Sequence, residues 1–175
     1  HKDLRSELES RAKSPIWRSH SDTETILACI DVYGLKATLV KLVGMFAIAL
    51  WDKSTKEVIL ARDRTGEKPL YYGINGKLLL FGSELKALRA HPKFKPKINR
   101  DALCLYLRHN YIPQPYSIYE GIKKLPPGHF IKLKKNAVPE VYWSLNQNII
   151  STKLKPFAGS EKVALNALDK LLISS

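Results

Sequence analysis

The sequence predicts an α+β fold built on antiparallel sheets, and three observations carry that expectation. Two hairpin signals stand close together. Residues 46–51 and 57–62 flank the polar turn Asp52-Lys53-Ser54-Thr55, and residues 70–74 and 77–81 flank Asn75-Gly76. Near-continuous apolar runs such as residues 45–50 point to a sheet covered on both faces. On either side of the hairpins, apolar residues recur at helical spacing.

The elements follow in order. Leu4 and Leu8 lie one turn apart among strong helix formers, so a helix is expected from residue 1 or 2. Ser21-Asp22-Thr23-Glu24 reads as a capping box, with Ser21 accepting from the Glu24 N–H and the Glu24 side chain reaching back. Ile26, Ile30 and Tyr33 give that helix its apolar stripe, and Gly34 suits its C-terminal end. A short helix is expected over residues 36–41, then the two hairpins. Residues 84–90 form another short helix capped by Ser83, on which Glu84 and Lys86 cannot share a face at a spacing of two. Asn99 caps the next helix, whose Leu103, Tyr106 and Leu107 are expected to face a core. Residues 111–115 read as extended. Strand 130–133 follows the Pro126-Pro127-Gly128 turn, with 140–143 as its partner. Residues 146–159 read as a linker, and Ala164, Leu165, Leu168, Leu171 and Leu172 mark a closing helix.

Bulk composition narrows the function classes. A chain of 175 residues with 45% hydrophobic content suits one domain, or one with part of a second. No apolar run approaches the roughly 20 residues of a membrane span, and no secretory leader is apparent. Both ends read as cut through helices, so an internal piece of a longer protein is expected. Cys29 and Cys104 fall in expected helices without metal-ligand spacing, and a structural thiol pair in a cytoplasmic protein is the plainer reading. The formal charge of +13 invites a nucleic-acid reading. The cations look scattered, however, with residues 122–135 the densest cluster and no stacking platform among them, so a solvated basic surface is expected instead. His109 and His129 have no partner at metal or triad spacing.

Several segments occur together in a telling order: Ser21-Asp22-Thr23-Glu24-Thr25, GMFAIALWD at 44–52, ARDRTGEKPLYY at 61–72, FGSELKAL at 81–88, Leu105-Tyr106-Leu107-Arg108, and YEGIKKLPPGH at 119–129. In that order they resemble the glutamine-hydrolysing domain of the asparagine synthetase family, a class II, N-terminal-nucleophile glutamine amidotransferase. The resemblance implies a four-layer α/β/β/α sandwich, here incomplete. Residues 1–145 would be the amidotransferase domain lacking its N-terminal part. Residues 146–175 would be the linker and first helix of the synthetase domain.

The family's chemistry is implied by the same resemblance. A cysteine at the N-terminus attacks the glutamine side-chain amide with its own amine as base, and ATP with magnesium activates aspartate for amidation by the released ammonia. Here residue 1 is His1, and no Ser-Gly-Gly pyrophosphate loop occurs in the sequence. The fragment is therefore expected to carry no catalytic residue, no metal site and no bound cofactor, and to be inactive alone. Neither Cys29 nor Cys104, each inside a helix, can replace the nucleophile. Among the family's glutamine contacts Asp22 remains, expected to pair with the ammonium of bound glutamine. Arg62, Asp63, Arg64 and Lys68 are expected to brace a loop.

The implied partners are glutamine, with aspartate and ATP reached through the synthetase domain. A homodimer is possible, nucleic acid and membrane are not expected, and the location is cytoplasmic. Two other functions stay open. One is a related amidotransferase with a sugar or peptide acid as acceptor. The other is a non-catalytic basic module that binds RNA or an acidic partner, for which a salt-dependent affinity would speak.

Overall fold

The computed structural model describes residues 1–11, 15–75, 78–134, 136–154 and 156–174. It divides into two compact units, His1–Trp143 and Ser144–Ser175. The first holds helices α1 (Lys2–Ser10), α2 (Asp22–Tyr33) and α3 (Leu35–Lys41), then strands β1 (Ala47–Asp52), β2 (Glu57–Arg62), β3 (Tyr71–Asn75) and β4 (Leu78–Gly82). Helices α4 (Leu85–Arg89) and α5 (Arg100–His109) come next, followed by strands β5 (Ile122–Lys124), β6 (His129–Lys132) and β7 (Glu140–Val141). The second unit is helical, with α6 (Leu145–Leu154) and α7 (Glu161–Ser174).

The fold is mixed α+β with two antiparallel sheets, ordered β1-β2-β6-β7 and β4-β3-β5. The alternation of a strand divides its side chains between two cores. In β2, Ile59 and Ala61 join Leu39, Leu42, Phe130 and Tyr142, with Leu4 and Ile26 of the helices packed against them. Leu60 points to the opposite side and joins Leu70, Tyr72, Leu125 and Ile131, so this second cluster draws on both sheets. A third cluster, Leu80, Leu88, Phe94 and Ile122, joins α4 to the second sheet.

Both hairpins form. In the first, the Asp52 carboxylate accepts from the Ser54 and Thr55 N–H groups and from Ser54 Oγ, which folds the turn. Those bonds, led by the Ser54 hydroxyl, hold its carboxyl down at about 2. In the second, β3 and β4 pair with Asn75 opposite Leu78. The turn residues Gly76 and Lys77 lie outside the described residues.

Other expectations need correction. The coverage of β1 is uneven: Ile48 and Leu50 pack on the first cluster and Ala47 on the second, but toward the turn that second face opens and Trp51 is 53% exposed. Ser21 caps α2 through the Thr23 N–H rather than that of Glu24. Glu24 turns instead to the N–H groups of Arg18 and Ser19, because the chain loops back over the helix start. Helix α4 begins after Glu84, whose backbone is extended, and Ser83 does not cap it. Off the helix, Glu84 is free to meet Lys86 at 2.6 Å. Leu103, Tyr106 and Leu107 of α5 are exposed, and Ala102 is the residue that α5 buries. Residues expected to be a linker form α6, since LNQNIISTKL contains no Gly or Pro to stop a helix. Cys29 is buried and Cys104 exposed, so the two thiols share no structural role. Among the described residues no helix is long and apolar enough to cross a membrane.

Candidate functional site

Asp22 is the first residue of α2, placed there by Ser21, whose extended backbone ends the preceding segment. Its Oδ1 lies 2.8 Å from the Thr23 nitrogen, which donates to it. Every hydrogen bond that reaches Asp22 from the described residues ends on Oδ1, leaving Oδ2 for another donor.

The segment before α2 is fixed by two side chains, Arg5, which the sequence reading did not single out, and Glu24. Arg5 donates to the carbonyls of Ser19 and Ser21 and to Thr25 Oγ1, and its guanidinium lies 4.2 Å from the Trp17 ring centroid. Glu24 takes the Arg18 and Ser19 N–H groups and the Ser19 hydroxyl. The Arg18 bond leads in holding its carboxyl below the ordinary value. Asp22 is thus presented from a braced turn.

A cleft of about 280 Å³ opens beside it, lined by His1, Asp3, Leu4, Asp22, Ile26 and the 41–46 segment. Two carboxylates, Asp3 and Asp22, share this wall. The lysine at its rim, Lys41, is committed to Glu7, with Nζ 2.9 Å from Oε1. The local balance favours a cation over an anion. A larger hollow of about 660 Å³ lies against Pro15, Ile16, Glu24 and Leu27. It does not include Asp22; of its two carboxylates, Glu24 and Asp31, Glu24 is already used by the turn, and Arg18 stands on the same wall. The smaller cleft is the better candidate.

The remaining expected residues divide clearly. Arg62 donates to the carbonyls of Gly66, Lys68 and Leu125, and Asp63 accepts from the N–H groups of Gly66, Glu67 and Lys68. Both side chains are consumed in holding the loop. Arg64 reaches across to the Val40 carbonyl. Cys29 is buried in α2, and burial, with Glu7 nearby, pushes its thiol up, away from a reactive thiolate. Cys104 lies in the middle of α5, and its backbone nitrogen is tied up in a peptide bond. His129 Nδ1 sits 2.7 Å from the Pro127 carbonyl, and His109 lies against Tyr111. Among the described residues no group of three His, Cys, Asp or Glu could hold a metal ion.

A model of the family described as a glutamine amidotransferase domain matches residues 1–143. The chain belongs to the glutamine amidotransferase domain family. Among curated relatives of this amidotransferase domain, asparagine synthetase [glutamine-hydrolyzing] 3 of Bacillus subtilis is 35% identical over 145 residues, which are 78% of this chain and 22% of that protein. Asparagine synthetase [glutamine-hydrolyzing] 1 of the same organism is 37% identical over 126 residues, 72% of this chain and 19% of that protein. An amidase of Gibberella zeae is 33% identical over 131 residues, 72% of this chain and 18% of the amidase. The chain thus spans about a fifth of the length of these relatives. Among solved structures, the glutamine phosphoribosylpyrophosphate amidotransferase of Bacillus subtilis superposes with a TM-score of 0.54 at 22% identity. That match covers 83% of this chain and 27% of the other, a likeness of fold alone.

Proposed function

We propose that this amidotransferase domain serves a glutamine-hydrolysing, asparagine-synthetase-type protein, and that its part is to bind glutamine for ammonia release. The observation that carries this reading is Asp22: an exposed carboxylate at a helix start, with one oxygen uncommitted, on an acidic cleft of about 280 Å³. A charge-assisted bond from the α-ammonium of an amino acid to Oδ2 is the interaction such a group is suited to make.

The relatives named asparagine synthetases support ammonia transfer to aspartate in the complete protein. The Gibberella amidase supports a related protein with another acceptor as the second reading. ATP and magnesium would be needed to activate the acceptor. The residues described here do not fit that role, since they include no group that could seat a metal, and no step through those cofactors is assigned to them.

The three clusters are consistent with a four-layer order, with α1–α3 outside the first sheet, the second cluster between the sheets, and α4 outside the second sheet. Residues 1–145 would be the amidotransferase portion, and residues 146–175 would begin the synthetase portion.

The test is to express the complete gene product and measure ammonia release from glutamine and asparagine formation from aspartate and ATP. Both activities, stopped by removing the family's N-terminal cysteine in the glutamine-driven assay, are expected. Absence of glutaminase activity in a folded product that carries that cysteine would overturn the reading. Ammonia release without asparagine formation would favour the second acceptor class.

A further inference from the structure

One wall of the Asp22 cleft is an arch held at its feet. Residues 41–46 carry the chain from the end of α3 to the start of β1 and line the cleft. Leu42 is buried in the first cluster and Phe46 packs against it, while Val43 and Met45 between them are 89% and 62% exposed. Among the described residues no backbone hydrogen bond holds Val43, Gly44 or Met45. Gly44 turns the arch at a φ of +122°, a conformation that side chains rarely adopt.

The loop after β2 clamps both feet. The Asp63 N–H donates to the Phe46 carbonyl at 3.0 Å. Arg64 Nη2 donates at 2.7 Å to the carbonyl of Val40, in the last turn of α3, where carbonyls lack helical partners and a cation is favoured. The lysine of that turn, Lys41, is spent on Glu7. The Arg64 guanidinium also lies 5.9 Å from the Trp143 ring centroid, and its Nε is buried with no acceptor among the described residues. A buried donor left unpaired lowers stability, so stability alone does not account for Arg64 at this place.

We propose that Arg64 is a positioning residue for substrate: by fixing the end of α3 it sets the Val43–Gly44–Met45 arch as the apolar wall on which the methylene groups of bound glutamine pack while its ammonium meets Asp22. The proposal rests on the glutamine-binding reading above and deepens it. An amino acid with a short apolar stem is recognised by a carboxylate and an apolar surface in one concavity, and this cleft holds both. Arg64 does not line the cleft and acts through the arch. The wall grips the stem equally before and during reaction at the amide, so its loss raises KM and leaves kcat in place.

The test is glutamine-dependent ammonia release by the complete gene product, at matched folded fraction. Arg64→Ala is expected to raise KM for glutamine about tenfold, the worth of roughly two methylene groups returned to water, with kcat within about twofold. Arg64→Lys, which keeps a donor for the Val40 carbonyl, should recover most of that loss. Gly44→Ala disturbs the arch with Arg64 intact; it should raise KM in the same way, and it carries the test if Arg64→Ala does not fold. An unchanged KM in Arg64→Ala, or in Gly44→Ala in its place, while Asp22→Asn still impairs glutamine use, would overturn the wall and leave the proposed function standing. A fall in kcat without a rise in KM, or a KM that Arg64→Lys leaves as high as Arg64→Ala does, would make Arg64 a brace at a helix end and overturn it too. If neither Asp22→Asn nor the arch variants alter glutamine use, both readings fall together.

Discussion

Asp63 and Arg62, neighbours at the end of β2, hold opposite sides of the same loop backbone. Asp63 accepts the N–H groups of Gly66 and Lys68, and Arg62 donates to the carbonyls of those two residues. A charged loop thereby satisfies its polar backbone from two adjacent side chains that are 0% and 6% exposed. Burial pushes the Asp63 carboxyl up, but the bonds from Lys68, Glu67 and Gly66 outweigh it and leave the group below its ordinary value.

Replacing Asp63 by Asn should therefore destabilise the fold by roughly 2–3 kcal/mol, since charge-assisted bonds are lost and an N–H is left facing an amide. The sign with pH follows from the depressed value. The ionised Asp63 stabilises the fold above its unfolded value, and that contribution fades as pH falls below about 4. Denaturant melts between pH 3 and 7 should show a steeper acid loss in the wild type than in Asp63→Asn. Parallel curves would leave Asp63 without this role.

The first hairpin offers a local check on the turn chemistry. Asp52 should titrate at about 2 in an NMR pH series, because Ser54 Oγ and two N–H groups bind its ionised form. Ser54→Ala should move that titration upward. An Asp52 that titrates at an ordinary carboxylate value in the wild type would show that the turn is not closed in this way.

Gly128 is predicted to tolerate no side chain. Its φ is +66°, and a Cβ there would run into the Trp143 carbonyl oxygen. The same residue accepts from the Tyr142 and Trp143 N–H groups and donates to the Asp63 carbonyl, so it cannot move aside cheaply. Gly128→Ala should cost about 2–4 kcal/mol in denaturant unfolding, combining left-handed strain with a backbone clash. A loss under about 0.5 kcal/mol would mean that the 126–129 turn relaxes freely.

Local chemistry was readable in the sequence, and long-range partnership was not. Asn99 is a cap and Glu57–Arg62 a strand as expected, because both depend on residues a few positions away. The stripe on α5 was also seen, but periodicity says which residues share a face and not what covers it. The pattern therefore places Leu103, Tyr106 and Leu107 in a core, whereas all three are exposed. Glu84 and Lys86 meet because the helix starts one residue late, and a single residue at a boundary decides that contact. At the candidate site, Asp22 was found through its motif. Arg5, which binds the turn carrying Asp22 from 14 to 20 residues away, gave no local signal.

The most direct test of the central claim compares nitrogen donors in the complete protein with Asp22 replaced by Asn or Ala. Free ammonia would bypass the proposed glutamine cleft, so only glutamine-dependent turnover should suffer. Losing a charge-assisted bond to the substrate ammonium is worth about 1.5–3 kcal/mol, which corresponds to about 10- to 150-fold in kcat/KM for glutamine. Steady-state kinetics at matched folded fraction should show that loss with the ammonia-driven rate unchanged. Equal losses with glutamine and ammonia would contradict the account and leave Asp22 as a helix-start acid.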